Sequence, residues 1–151
     1  MPASWKSLLA FWKRPDIEGV DVDSPEMVEI HRRIMASDPF LQYVHECRYR
    51  QFLPAVQATA HLRGPMLELG CGAGHIEKYL PEVIKTDIVP HSGVQLACDG
   101  EKLPFPDGSL RALFMIGVLH HVREPARLLA EADRCLADGA RLVLIEPSNS
   151  W

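Results

Sequence analysis

The chain has 151 residues, 47% of them apolar and 24% charged, which excludes a disordered chain and suits one soluble domain. Sixteen Lys and Arg against twenty Asp and Glu leave a formal charge of −4, so a general nucleic-acid binder with a basic face is not expected. No apolar run approaches the roughly 20 residues of a membrane span, and the N-terminus lacks a signal-peptide layout. Cys47, Cys71, Cys98 and Cys135 form no Cys-x-x-Cys pair. That disfavours a zinc site or a disulfide framework, so no metal and a reducing, cytoplasmic setting are expected.

Residues 1–23 read as a lead-in. Trp5, Leu8, Leu9 and Trp12 fall on one face of a short helix, flanked by Lys6, Lys13 and Arg14. That face is a peripheral membrane-surface anchor, a flap packed on the domain, or a frayed end, since so short a helix is marginal alone. Residues 24–63 read as a helical cap. Ser24-Pro25-Glu26 starts a helix running to about residue 36. A second helix from Pro39 reaches about residue 59, with a kink at Pro54. Gly64-Pro65 closes the region.

Residues 64–151 alternate short apolar strands with helical stretches. Strands are predicted at 66–69, 83–86, 94–97, 112–116 and 141–145, and helices at 75–80 and 125–137. Asp138-Gly139 reads as a helix stop. Strands of low polarity alternating with helices imply a parallel sheet covered on both faces, an α/β fold.

The chemistry gathers at the C-terminal ends of these strands, where open α/β sheets bind ligands. Glu68-Leu69-Gly70-Cys71-Gly72-Ala73-Gly74 follows the first strand and is expected to open a helix. Its glycines permit a tight turn and close backbone approach. The third Gly comes one position earlier than in the dinucleotide pattern G-x-G-x-x-G, and Glu68 suits an ammonium group better than a pyrophosphate. Asp87 ends the second strand, where an acid accepts from a ribose diol. Asp99-Gly100-Glu101 follows the third strand. Met115-Ile116-Gly117-Val118-Leu119-His120-His121 closes the fourth.

Taken in order, these motifs resemble the class I S-adenosylmethionine-dependent methyltransferases, in particular the small-molecule type 11 group. The resemblance covers about residues 66–147. It implies a Rossmann-like, doubly wound, mainly parallel sheet of order 3-2-1-4-5. It implies methyl transfer from S-adenosylmethionine to a small-molecule acceptor by direct displacement. By position, Gly70, Cys71 and Gly72 would line the methionine part, with Glu68 supporting its ammonium group. Asp87 would hold the ribose, Ile88 would pack on adenine, and Asp99 with the Gly100 amide would read the adenine edge. Ile116 would lie near the sulfonium. From the residues themselves, one of His120 and His121 is a candidate general base and the other a structural residue, and of the cap arginines Arg48 and Arg50 one either meets the cofactor carboxylate or belongs to a solvated face or surface ion pair.

Two other readings compete: a non-catalytic cofactor-binding module and an NAD(P)-dependent oxidoreductase. Relatives continue past the fifth strand, whereas this chain stops at Glu146-Pro147-Ser148-Asn149-Ser150-Trp151. The usual strands 6 and 7 are therefore expected to be absent. The chain reads as truncated, or as one that covers an apolar fifth-strand edge by pairing with a second copy. Cys47, Cys98 and Cys135 read as buried fillers and Cys71 as a small loop residue. The aromatic N-terminal face points toward an amphiphilic or lipid-linked acceptor.

Overall fold

The computed structural model describes residues 19–21 and 24–147. The lead-in helix carrying Trp5 and Trp12 lies outside them. Helix α1 (Pro25–Ser37) starts as expected, with Ser24 Oγ accepting from the Met27 amide at 3.1 Å. Helix α2 (Pro39–Arg50) is capped by Asp38, whose carboxylate accepts from Phe40 and Leu41. The single helix expected over 39–59 is broken into two. A turn at Gln51-Phe52 precedes α3 (Leu53–Ala58), and Pro54 sits in its first turn, where no amide donor is needed.

Five parallel strands follow: β1 (Met66–Leu69), β2 (Val83–Asp87), β3 (Leu96–Ala97), β4 (Leu110–Ile116) and β5 (Leu136–Ile145). Their order is β3-β2-β1-β4-β5, as expected. Helix α4 (Pro125–Cys135) connects β4 to β5.

Side-chain alternation splits the core in two. On the cap side, Met66, Ala112 and Phe114 meet Tyr49, Phe52 and Ala55. On the other side, Leu67, Leu69, Leu113 and Met115 meet Leu128, Ala132 and Cys135 of α4. Glu68 therefore shares the Met66 face and is turned toward the cap. Phe52 stacks on Phe114, with ring centroids 4.5 Å apart, and is fully buried. Phe52→Ala is expected to lower stability by about 3–5 kcal/mol, read as a drop in the urea midpoint at unchanged slope.

Several boundaries differ from the sequence expectation. The helix predicted at 75–80 is one 3-10 turn, Ile76–Lys78. Residues 70–82 must leave β1, make the glycine loop and reach β2, and Pro81 ends what little chain remains for a helix. The glycine loop thus opens no α-helix, so no helix dipole faces the ligand there. The expected strand 94–97 shortens to Leu96–Ala97. Asp138-Gly139 does not stop a helix: α4 ends at Cys135, and Gly139, with φ of 80°, lies inside β5. A register shift opposite Leu110–Ala112 absorbs this stretch, since Leu136 pairs with Leu110 and Arg141 with Ala112. Cys47 is exposed and Cys98 half-buried, so of the three expected fillers Cys135 alone is fully buried. Among the described residues β5 pairs with β4 alone, as an edge strand. No helix among them is long and apolar enough to cross a membrane.

Candidate cofactor site

Two adjoining cavities open at the C-terminal ends of the strands. The first, about 560 Å³, lies between the cap and the glycine loop; Glu68, Gly70, Cys71, Gly72, Ile116 and His120 help to line it. The second, about 760 Å³, is bordered by Gly70, Asp87, Ile88, Asp99, Gly100 and His121. Apart from Arg50, every residue expected at the cofactor site or as base thus borders one cavity or the other, and Gly70 borders both.

Gly70 can occupy that shared position because it has no side chain. Its φ is +68°, and an added Cβ would fall 2.5 Å from Val118 Cγ2. Gly72 also has a left-handed φ, of +46°, and a Cβ there would meet open space.

Glu68 is 2% exposed, and its Oε2 has no hydrogen-bond partner among the described residues. Burial pushes its carboxyl up to about 8, Lys85 pulls against that, and Glu77 and Asp87 reinforce it. Lys85 does not neutralise it by contact, because its Nζ is held by Glu77 at 2.9 Å. A buried acid with an orphaned oxygen facing a cavity is arranged to receive a cationic donor.

Asp87 is buried at the end of β2. Its Oδ2 accepts from the Gly72 amide at 2.8 Å and its Oδ1 from the Val89 amide at 3.0 Å. Each oxygen keeps a second lone pair for a hydroxyl. Ile88 beside it is 67% exposed, an apolar surface at the cavity rim. Asp99 is exposed and accepts from the Glu101 amide at 2.9 Å. Gly100 packs so closely that a Cβ would come within 2.9 Å of Leu69 Cδ2. Arg134 fastens the loop that follows, bonding Asp107 Oδ1 and the Leu103 and Phe105 carbonyls.

The adjacent histidines part company. They sit on a 3-10 turn, Leu119–His121, rather than on a helix. Their rings lie 4.0 Å apart, yet His120 borders the first cavity and His121 the second. The cap arginines part too. Arg48 lines the first cavity, whereas Arg50 pairs with Glu46.

Cys71 is buried 4.0 Å from His91 Nε2, and its thiol is pushed up to about 12, first by burial and then by Glu68 and Asp87. That suits a loop residue and not a nucleophile. Cys71, Asp87 and His91 place ligand-type atoms within 4.8 Å of one another. His91 Nδ1, however, accepts from the Gly93 amide at 3.1 Å, which puts the ring proton on Nε2, the atom facing the other two. A protonated nitrogen has no lone pair for a metal. His45 and the α1 residues Ile34 and Met35, which also line the first cavity, were not among the expected site residues. Their helical pattern carries no signal that separates cavity wall from core.

The family model described as "Methyltransferase domain" matches residues 67–144. The chain belongs to that family, whose cofactor is S-adenosylmethionine. A candidate S-adenosyl-L-methionine-dependent methyltransferase from Methanococcus maripaludis shares the fold, with a TM-score of 0.64 and 11% identity. The match covers 84% of this chain and 65% of that one. An S-adenosylmethionine-dependent methyltransferase from Thermotoga maritima is 26% identical, with a TM-score of 0.49, over 77% of this chain and 59% of that one. An uncharacterized 37.1 kDa protein in a transposon of Streptomyces fradiae is 44% identical over 63 residues, 42% of this chain and 18% of that protein. The chain thus spans less than two thirds of each of these relatives.

The residues present fit the family's cofactor. The orphaned Glu68 oxygen would suit an ammonium group, the side-chain-free Gly70 borders both cavities, and Asp87 retains acceptor capacity that would suit a diol.

Proposed function

We propose that this chain transfers a methyl group from S-adenosylmethionine to a small-molecule acceptor. The observation that carries the reading is the pair of cavities meeting at Gly70, with a buried unpaired acid on one side and a ribose-type acid on the other. Asp87, Ile88, Asp99 and Gly100 would hold the adenosine end. Glu68, Gly70, Cys71, Gly72 and Ile116 would hold the methionine end, and Arg48, which lines the same cavity, would meet its carboxylate. The cofactor supplies a methyl already activated on sulfonium sulfur, so the protein's main task is to position the acceptor. Ile34, Met35 and Leu41 give the first cavity an apolar wall beyond the methionine end, which supports an amphiphilic acceptor. The β5 edge would accept a second copy of the chain, and light scattering at high concentration checks this: a monomer throughout argues against it.

Calorimetric titration with S-adenosylhomocysteine, beside NADH, tests the cofactor assignment. Saturable binding of the first and none of the second is expected. Binding of NADH alone would overturn the assignment. Cofactor binding without turnover of any acceptor would favour the non-catalytic module instead.

A further inference from the structure

Glu146 follows β5, and its carboxylate is held at both oxygens. Oε1 accepts from the Val118 and Leu119 amides at 3.0 and 2.8 Å. Oε2 lies 2.7 Å from His120 Nδ1. Burial works to raise the Glu146 carboxyl, but the bonds from His120, Leu119 and Val118 outweigh it and hold the group below its ordinary value. An ionised carboxylate can only accept, so the ring proton of a neutral His120 belongs on Nδ1. Its Nε2 then carries a lone pair, and no hydrogen bond ties that atom among the described residues. His120 is 45% exposed at its side chain and borders the same cavity as Glu68 and Ile116. The other charged or titratable groups around it are His121, whose ring centroid lies 4.0 Å away at a tilt of 41°, and His31, His45, Arg48, Tyr49 and Cys71, which line the same cavity.

Resting on the methyl-transfer reading, we propose that Glu146 is a positioning residue that fixes His120 as proton acceptor for a hydroxyl-bearing methyl acceptor. The acceptor's O–H bond breaks and its proton passes to His120 Nε2. The oxygen's electron pair forms the new bond to the methyl carbon, while the carbon–sulfur pair leaves with sulfur. A neutral amine attacks with its own lone pair and sheds its proton afterwards, so it has less need of such a base. A hydroxyl oxygen would become a high-energy oxonium unless its proton left as the bond formed. The carboxylate's part is to hold one tautomer and one ring orientation.

The test begins on the chain alone, by ¹⁵N NMR of labelled histidine at a pH where His120 is neutral. Wild type is expected to show Nδ1 protonated and Nε2 bare at His120. Glu146→Gln is expected to lose that preference, and Glu146→Asp to restore it in part. A bare Nδ1 in wild type, or a tautomer indifferent to Glu146→Gln, overturns the proposal. The acceptor class is read with labelled S-adenosylmethionine against a library of phenols, enols and alcohols beside matched amines. Hydroxyl turnover falling about 100-fold or more in His120→Asn is expected, with S-adenosylhomocysteine affinity within twofold of wild type. Turnover confined to amines, no turnover of the hydroxyl library, or hydroxyl turnover undiminished in the variant overturns it. Failure of wild type to bind S-adenosylhomocysteine would instead sink the cofactor reading, and the tautomer result separates the two failures.

Discussion

Replacing Asp87 with alanine is expected to weaken S-adenosylhomocysteine binding about 100-fold or more. The carboxylate joins the end of β2 to the glycine loop through Gly72 and to its own loop through Val89. A ribose diol would take the lone pairs that remain. Hydrogen bonds to a charged group are each worth roughly 1.5–3 kcal/mol, so losing two to the ligand reaches about 3 kcal/mol before the loop loosens. Asp87→Asn is expected to do nearly as much harm despite its matching shape. Whichever way the amide turns, its NH₂ faces the Gly72 or the Val89 amide, donor against donor. Calorimetry on both variants, with circular dichroism to confirm folding, checks this. A dissociation constant within threefold of wild type for Asp87→Ala would remove Asp87 from the ligand site.

The strand order was legible only through the family resemblance, and that resemblance was legible because its motifs sit at strand ends. Gly70 after β1, Asp87 at the end of β2, Asp99 after β3 and Ile116 at the end of β4 mark four C-terminal ends in chain order. What the chain leaves out was harder to read. The stretch 75–80 has a helical pattern, and it takes the length of 70–82 together with Pro81 to confine it to one 3-10 turn. Asp138-Gly139 misled for a related reason, because a glycine that can end a helix can equally turn the backbone within a strand. The division of His120 from His121 depends on that second 3-10 turn, which adjacent residues in sequence do not reveal. The bond between His120 and Glu146 joins residues 26 apart, and the register of β5 against β4 brings them together. The orphaned Glu68 oxygen is likewise a property of packing: sequence supplies the acid, whereas burial and the diversion of Lys85 to Glu77 leave it unpaired.

That unpaired acid gives the second large prediction. Burial raises the Glu68 carboxyl from its ordinary 4.5 to about 8, so the folded chain holds a proton there that the unfolded chain has lost. Stability changes with pH as the protons bound unfolded minus those bound folded, which is negative between these two values. Glu68 therefore leaves stability intact below about pH 4.5 and erodes it as pH rises toward 8. Each tenfold gain in proton affinity on folding is worth about 1.4 kcal/mol, so the whole effect is on the order of 5 kcal/mol. His45 and His75, both held below the usual histidine value chiefly by burial, act in the opposite sense in acid. The difference between wild type and Glu68→Gln isolates the glutamate. Urea unfolding from pH 5 to 9 is expected to show Glu68→Gln gaining on wild type as pH rises, with the gain levelling off above pH 8. The ligand should pull the other way. An ammonium group needs the carboxylate form, so binding S-adenosylhomocysteine at pH 7 is expected to expel a proton from Glu68. Calorimetry in two buffers of different ionisation enthalpy measures that proton. Wild-type affinity should rise toward pH 8, whereas that of Glu68→Gln should be weaker and nearly flat. Parallel pH profiles for the two proteins, in stability and in affinity alike, would mean that Glu68 is neither strained by its burial nor relieved by the ligand.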